Sequence, residues 1–291
     1  MAYATWGWLR AGRDYTLFLN TATIPDTLDF EGPNAIPENR PLSLSAQIPI
    51  SAFARSPKGL QVLVGIEDQP FEITPAAGGG PIDVNRLPAL VAGLGYEDVR
   101  GRSVWLRGLY RHTWVTGSPT TDLNGWGVTL QAHLPTWKND ALIFGVLGGQ
   151  ALGAYIDDLQ GFGLDAAPLS PTDARLEPIM AASAYGAYTH HISEALRSTV
   201  SYGYVWTDTD FIHPSLQPVP QQGIYKQAHY VSLNMIWSPI PPFNVGVEYL
   251  FGYREVTRAS SLFNGTAESG FNNRLQITLA WAFSGERAFT W

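Results

Sequence analysis

Residues Arg274 to Phe283 read RLQITLAWAF. Successive side chains of a strand point to opposite faces, so Leu275, Ile277, Leu279, Trp281 and Phe283 fall on one side and Gln276, Thr278, Ala280 and Ala282 on the other. One face is bulky and apolar; the other is small or polar. A soluble sheet turns such an apolar face toward a core, whereas a membrane barrel turns it outward to lipid and gives its lumen the polar face. Deciding between these two decides the fold.

The same period of two runs through the whole chain, and helical periodicity is hard to find. Twelve strands are expected, near residues 2 to 13, 41 to 54, 58 to 68, 87 to 98, 102 to 113, 125 to 135, 140 to 150, 180 to 192, 196 to 208, 226 to 238, 242 to 255 and 272 to 283. In the eleventh, Phe243, Val245, Val247, Tyr249, Phe251 and Tyr253 face away from Asn244, Glu248 and Arg254. Most of these runs reach ten residues or more, as a tilted strand crossing a bilayer requires. Short connections (56 to 59, 98 to 101, 136 to 140, 192 to 195, 238 to 242) alternate with long ones (14 to 40, 69 to 86, 114 to 124, 151 to 179, 209 to 225, 256 to 271). Tight turns at one end and long loops at the other are the layout of an outer-membrane barrel, here one domain over 1 to 291 with long extracellular loops. Aromatic residues near strand ends (Tyr96, Trp137, Trp237, Phe243, Phe283) fit interfacial girdles.

Composition agrees. Charged residues are 15% of the 291, against about a quarter in soluble domains, yet the mean hydropathy of -0.05 is far from that of a helical membrane protein. No run of apolar residues is long enough for a transmembrane helix. The absence of cysteine excludes disulfides, thiolate metal sites and thiol nucleophiles, and the net charge of -7 argues against a nucleic-acid surface. No cofactor is implied. Met1 leads directly into AYATWGWLRAGR, which lacks the pattern of a secretory signal.

Several stretches in order resemble the DcaP-like porin family of Gram-negative outer membranes: LRAGRD (9 to 14), PDTLDFEGP (25 to 33), NRLPALVAGLGY (85 to 96), LRSTVSYGYV (196 to 205), IWSPIPPFNVGVEYLFGYRE (236 to 255) and NRLQITLAWAF (273 to 283). The resemblance spans nearly the whole chain and implies an all-β, antiparallel up-and-down transmembrane β-barrel. It also implies an inward-folded constriction loop, passive diffusion of small anions such as dicarboxylates or aromatic acids, and a homotrimer in outer-membrane lipid and lipopolysaccharide. Family members carry a signal peptide and sixteen strands, with the constriction loop after the fifth. The matching loop here follows the first expected strand, so the arithmetic of sixteen less twelve suggests four absent N-terminal strands. The tail SGERAFTW (284 to 291) continues past the family's usual terminal aromatic, placed at Phe283.

An anion-preferring lumen needs cationic side chains, and arginine suits it because its fork binds carboxylate bidentately and stays charged. Parity turns Arg107, Arg111, Arg197, Arg254 and Arg274 inward, while Arg10 and Arg13 have conflicting parities, so that one of the two is expected in the lumen. Asp26, Asp29 and Glu31 would form the acidic side of the constriction; the simpler reading is a solvated turn punctuated by Pro25, Gly32 and Pro33. An isolated lumen arginine can also merely balance Glu248 or Asp29. His190 and His191 adjoin a short turn and point oppositely, which suits an interfacial position better than a shared metal. GGQALG (148 to 153) lacks the Lys of a phosphate loop, and Asn264, Gly265 and Thr266 form a sequon by pattern alone. Two alternatives to a porin stand: a structural barrel subunit of a larger assembly, or a barrel hydrolase, for which the histidines at 112, 133, 190, 191, 213 and 229 lie beside no catalytic motif.

Overall fold

The fold is described from a computed structural model, for all residues except 51 to 58, 75 to 82, 117 to 120, 171 to 172, 213 to 215, 217 to 222, 241, 261 to 266 and 282 to 291. Phe283, the tail 284 to 291 and the sequon at 264 to 266 lie outside the described residues. The strands are β1 (Ala2–Trp6), β2 (Leu9–Arg13), β3 (Leu42–Pro49), β4 (Gly59–Asp68), β5 (Asp83–Arg86), β6 (Ala89–Glu97), β7 (Ser103–Thr116), β8 (Thr121–Pro135), β9 (Ala141–Gln150), β10 (Ala166–Ser170), β11 (Asp173–Pro178), β12 (Met180–His191), β13 (Leu196–Thr207), β14 (Tyr225–Ile240), β15 (Phe243–Ser260) and β16 (Ala267–Trp281). No described helix is long and apolar enough to cross a membrane.

The main sheet is an antiparallel meander in the order β1-β2-β3-β4-β6-β7-β8-β9-β12-β13-β14-β15-β16, with β5 paired to β7 beside this path. That path has thirteen strands where twelve were expected. The difference is local. The alternation from Ala2 to Arg13 reads as one strand, but Gly7 takes a left-handed φ of 60° and folds it into a hairpin pairing Ala2 with Arg13 and Trp6 with Leu9. The subtraction from sixteen then gives three rather than four. Among the described residues β1 and β16 are not paired with each other. Several strands also run further than expected: β7 and β8 take in 114 to 116 and 121 to 124, and β15 and β16 take in 256 to 260 and 267 to 271.

The segment 14 to 40 shows that the sheet is curved. Leu17 N bonds Glu67 on β4, and Leu28 N, eleven residues on, bonds Glu248 on β15. In a flat sheet the eight strand spacings from β4 to β15 would cover about 38 Å. That is the limit of eleven fully extended residues, about 3.3 to 3.6 Å each, and this stretch contains a 3-10 turn at Thr21–Thr23. The wall must therefore bend around the segment, which lies inside it.

Curvature gives the two faces their meaning. The outer face stays uncovered: Leu275, Ile277 and Leu279 are 69%, 75% and 71% exposed, and Leu60, Val64, Leu106, Val128, Val146, Leu233 and Val247 extend the surface around the wall. A continuous apolar surface of this kind is unfavourable in water and favourable against hydrocarbon. Exposed aromatics fringe it at the tight-turn end (Tyr96, Trp137, Trp237, Trp281) and nearer the long loops (Tyr110, Trp126, Tyr202, Phe271).

The inner face is less polar than the alternation suggests. Leu63, Trp105, Leu109, Leu147, Tyr185 and Val205 point inward and are buried against two inserted segments. One is 14 to 40, through Leu17, Phe18, Leu19 and Ile36; the other is 151 to 165, through Leu152, Tyr155, Ile156 and Leu159. Each such side chain contributes about 1.5 to 3 kcal/mol on burial. The lumen is thus largely filled by a core of its own.

Candidate functional site

Segment 14 to 40 is held to the wall by polar side chains that the sheet points inward. Glu67 accepts from Thr16 Oγ1 and Leu17 N, both at 2.7 Å. Gln131 Oε1 takes Asn20 N at 2.5 Å, Tyr185 bonds Thr23 at 2.7 Å, Asn234 donates to Asp26 O at 2.7 Å, and Ser183 donates to Ala35 O at 2.7 Å. Glu248, fully buried, accepts Leu28 N at 3.0 Å, Asp29 N at 2.9 Å, Asn234 Nδ2 at 3.1 Å and Gln276 Nε2 at 3.0 Å. By sequence Glu248 reads as a counter-charge and Glu67 as an ordinary polar position; the signal both carry is a carboxylate within a strand on the inward face, where a loop backbone can satisfy it.

The seven arginines occupy different settings. Arg107 and Arg111 face inward but are buried beneath the inserted segments. Arg107 donates to Leu17 O at 2.8 Å and to Leu19 O, over the Trp105 ring. Arg111 donates to Ala151 O at 2.7 Å and Pro70 O at 2.5 Å, and pairs with Asp165 at 3.1 Å. Both guanidiniums fasten loops to wall, and neither meets open lumen. Parity reports the face of a residue, not whether a loop has been laid over it. Arg197 pairs with Asp26 and donates to Ser238 Oγ at 2.9 Å, and Arg274 pairs with Asp29 at 2.5 Å. Arg10 faces inward and pairs with Asp14, whereas Arg13 sits opposite the exposed Leu42 on the outer face, at the loop end of β2. Arg254 lies on the inner face across from Gly270.

Glycines on the inner wall map where the lumen is full. A Cβ on Gly65 would meet Leu17, on Gly127 Leu152 and Phe18, on Gly203 Asn34 and Pro33, and on Gly246 Leu28, all inserted residues. A Cβ on Gly252 would meet nothing within 4 Å. Beside it is a cavity of about 460 Å³ lined by Asn34, Asp158, Tyr230, Gly252, Arg254 and Asn272. The open part of the lumen therefore runs along β14 to β16, with Arg254 and Asp158 at its side and the Arg274 and Asp29 pair nearby.

The loop mouth is acidic. Burial first, then repulsion from Glu38, Glu31, Asp158 and Asp29, holds the Asp157 carboxyl up to about 8. Burial also raises Asp158, opposed by a 2.5 Å bond from Tyr225 and by Arg254, and raises Glu38, opposed by Arg40. Glu31, expected beside Asp26 and Asp29 at a constriction, is exposed and stands apart from their ion pairs, close enough to act on Glu38. Among the described residues no group of three or more His, Asp or Glu is placed to hold a metal.

A curved antiparallel wall, an apolar outer face fringed with aromatics and a loop folded across the interior define the class: this is an outer-membrane channel fold of the porin type. The solved structure of the outer membrane channel DcaP of Acinetobacter baumannii is similar over 97% of this chain and 73% of that one, with a TM-score of 0.76 and 20% sequence identity. At that identity the likeness is one of fold. No family model matches the chain, and no curated protein matches it by sequence.

Proposed function

We propose that the protein is a porin of a Gram-negative outer membrane that passes small hydrophilic solutes by passive diffusion, with a preference for anions such as dicarboxylates or aromatic acids. The observation that carries the channel reading is the uncovered apolar outer face around a lumen left open along β14 to β16, next to Gly252. Anion preference draws support from unequal exposure within the ion pairs. The arginine is the more exposed partner in Arg274 with Asp29 (44% against 18%), Arg10 with Asp14 (41% against 8%) and Arg40 with Glu38 (38% against 12%). Within these three pairs a solute touches guanidinium more readily than carboxylate, whereas Arg197 with Asp26 runs the other way (24% against 40%) and the carboxylates at the loop mouth oppose the preference. A homotrimer forms part of the proposal: Gly148, Ala182, Ala184 and Gly186 lie close together on the outer face and carry little or no side chain there, which suits the packing of a second copy.

The test is single-channel conductance in a planar bilayer with a reversal potential under a salt gradient. Stepwise openings with an anion-side reversal are the expected result, and a folded protein that inserts but never conducts would refute it. That outcome would favour a second reading, a structural subunit of a larger wall, motivated by β1 and β16 having no second strand partner among the described residues, because strand edges in lipid leave backbone groups unsatisfied.

A further inference from the structure

At the tight-turn end, outside the lumen, the turn between β8 and β9 meets the end of β12. Asp140 closes that turn, its N–H donating to Trp137 O at 2.9 Å and its carbonyl accepting from Thr136 N at 2.8 Å. Its carboxylate takes three donors from β12: Tyr188 Oη at 2.9 Å, His190 Nδ1 at 2.7 Å and His191 N at 2.7 Å. Those bonds hold the Asp140 carboxyl down at about 2, the His191 N–H first and His190 next. The carboxylate is therefore held as an anion whose oxygens are already occupied by three donors. With Trp137, Lys138, Tyr188, His190, His191 and Ile192 it lines a hollow of about 380 Å³.

Three features single out this hollow. Tyr188 is paired with Leu142 and Val200, both exposed on the outer face, so the hollow is continuous with the apolar surface. Because Asp140 takes Nδ1, the remaining nitrogen of His190, Nε2, is the one available to a ligand, and its side chain is 58% exposed. Lys138 supplies a second cation from a backbone with φ of 54°, a left-handed conformation that a non-glycine residue adopts at some cost. A lysine ammonium and, in its protonated form, the His190 ring stand at the edge of an apolar surface beside a carboxylate already occupied by three donors; flanked by Trp137 at 75% exposure and Ile192 at 51%, they match a phosphate diester with acyl chains attached.

We propose that this hollow binds the phosphate of an anionic phospholipid in the leaflet at the tight-turn end, through Lys138 and His190, with Trp137 and Ile192 against its chains. The inference rests on the outer face being lipid-facing. The experiment is native mass spectrometry of the full chain in detergent, titrated with phosphatidylglycerol, with diacylglycerol and with inorganic phosphate as competitor, beside insertion into phosphatidylglycerol vesicles. One phosphatidylglycerol should be retained in preference to diacylglycerol, with Lys138→Gln weakening it about fivefold, as loss of one cation near a lipid headgroup does, and His190→Gln weakening it as well. Equal binding of the two lipids, or unchanged binding in both variants, overturns the proposal. Displacement of the lipid by millimolar inorganic phosphate would make the hollow a site for small anions and overturn the lipid assignment. Heat-modifiable migration checks folding; should His190→Gln misfold for want of its bond to Asp140, Lys138→Gln in the exposed turn carries the test. Failure to insert into vesicles sinks both this inference and the porin reading, whereas insertion without headgroup preference sinks only this one.

Discussion

Replacing Glu248 should release the inserted segment from the wall while leaving the wall folded. The carboxylate is fully buried and satisfies four N–H donors, two of them from the backbone of Leu28 and Asp29. In Glu248→Ala those donors lose their acceptor, at about 1 to 3 kcal/mol for each one that stays dry. Water in the neighbouring open lumen can rehydrate part of the set, so the expected net cost is about 3 to 5 kcal/mol, in the range for breaking a buried charged network. The cost falls on the contact near Leu28 rather than on the strand ladder, because the β14 to β15 and β15 to β16 pairings are backbone bonds. Glu248→Gln should cost less, about 1.5 to 3 kcal/mol, since one acceptor oxygen survives. The assay is limited proteolysis within 14 to 40 on membrane-inserted protein, with single-channel conductance in parallel. Faster cleavage and noisier or larger openings are expected, with heat-modifiable migration retained. Wild-type protection and wild-type conductance in Glu248→Ala would refute the reasoning.

Three further outcomes follow from the same geometry. Arg107→Met removes the donor to Leu17 O and Leu19 O and should lower stability by about 2 to 4 kcal/mol, read as an earlier heat-modification midpoint; an unchanged midpoint would mean the loop is held elsewhere. Gly252→Trp fills space that no atom occupies within 4 Å of the glycine's missing Cβ and should reduce conductance without destabilising the fold, whereas Gly246→Trp, which would strike Leu28, should destabilise it. Asp157 is held up to about 8, above the ~3.9 of an unfolded carboxyl. The fold favours its neutral form, so this contribution is complete below about pH 4 and is lost as pH rises through 8. Thermal midpoints should fall across that window, and Asp157→Asn should flatten the fall; a wild-type midpoint constant from pH 5 to 9 would contradict it.

How much the sequence carried can be judged from particular residues. Leu275, Ile277, Leu279 and Trp281 announced an outward apolar face because the period of two is a property of the extended backbone itself, independent of what surrounds it. Strand positions followed for the same reason, to within a few residues at most ends. Where the pattern ran continuously through Gly7, the hairpin between β1 and β2 was missed, since periodicity does not register a left-handed turn. Inward parity for Arg107, Arg111, Arg197, Arg254 and Arg274 was also legible. What each guanidinium touches was not, because that depends on the paths of 14 to 40 and 151 to 165, whose contacts lie up to 220 residues away along the chain.

Alternation alone thus determined an antiparallel wall with a lipid-suited face and an opposing polar one. Only the tertiary structure decided what fills the interior. It laid two loops across the lumen, turned Glu67, Glu248, Arg107 and Arg111 into anchors, and left open space along β14 to β16. The physical reason is that a strand's facing is set residue by residue by its own backbone, whereas a buried carboxylate or guanidinium acquires its role from whichever distant backbone groups supply its hydrogen bonds.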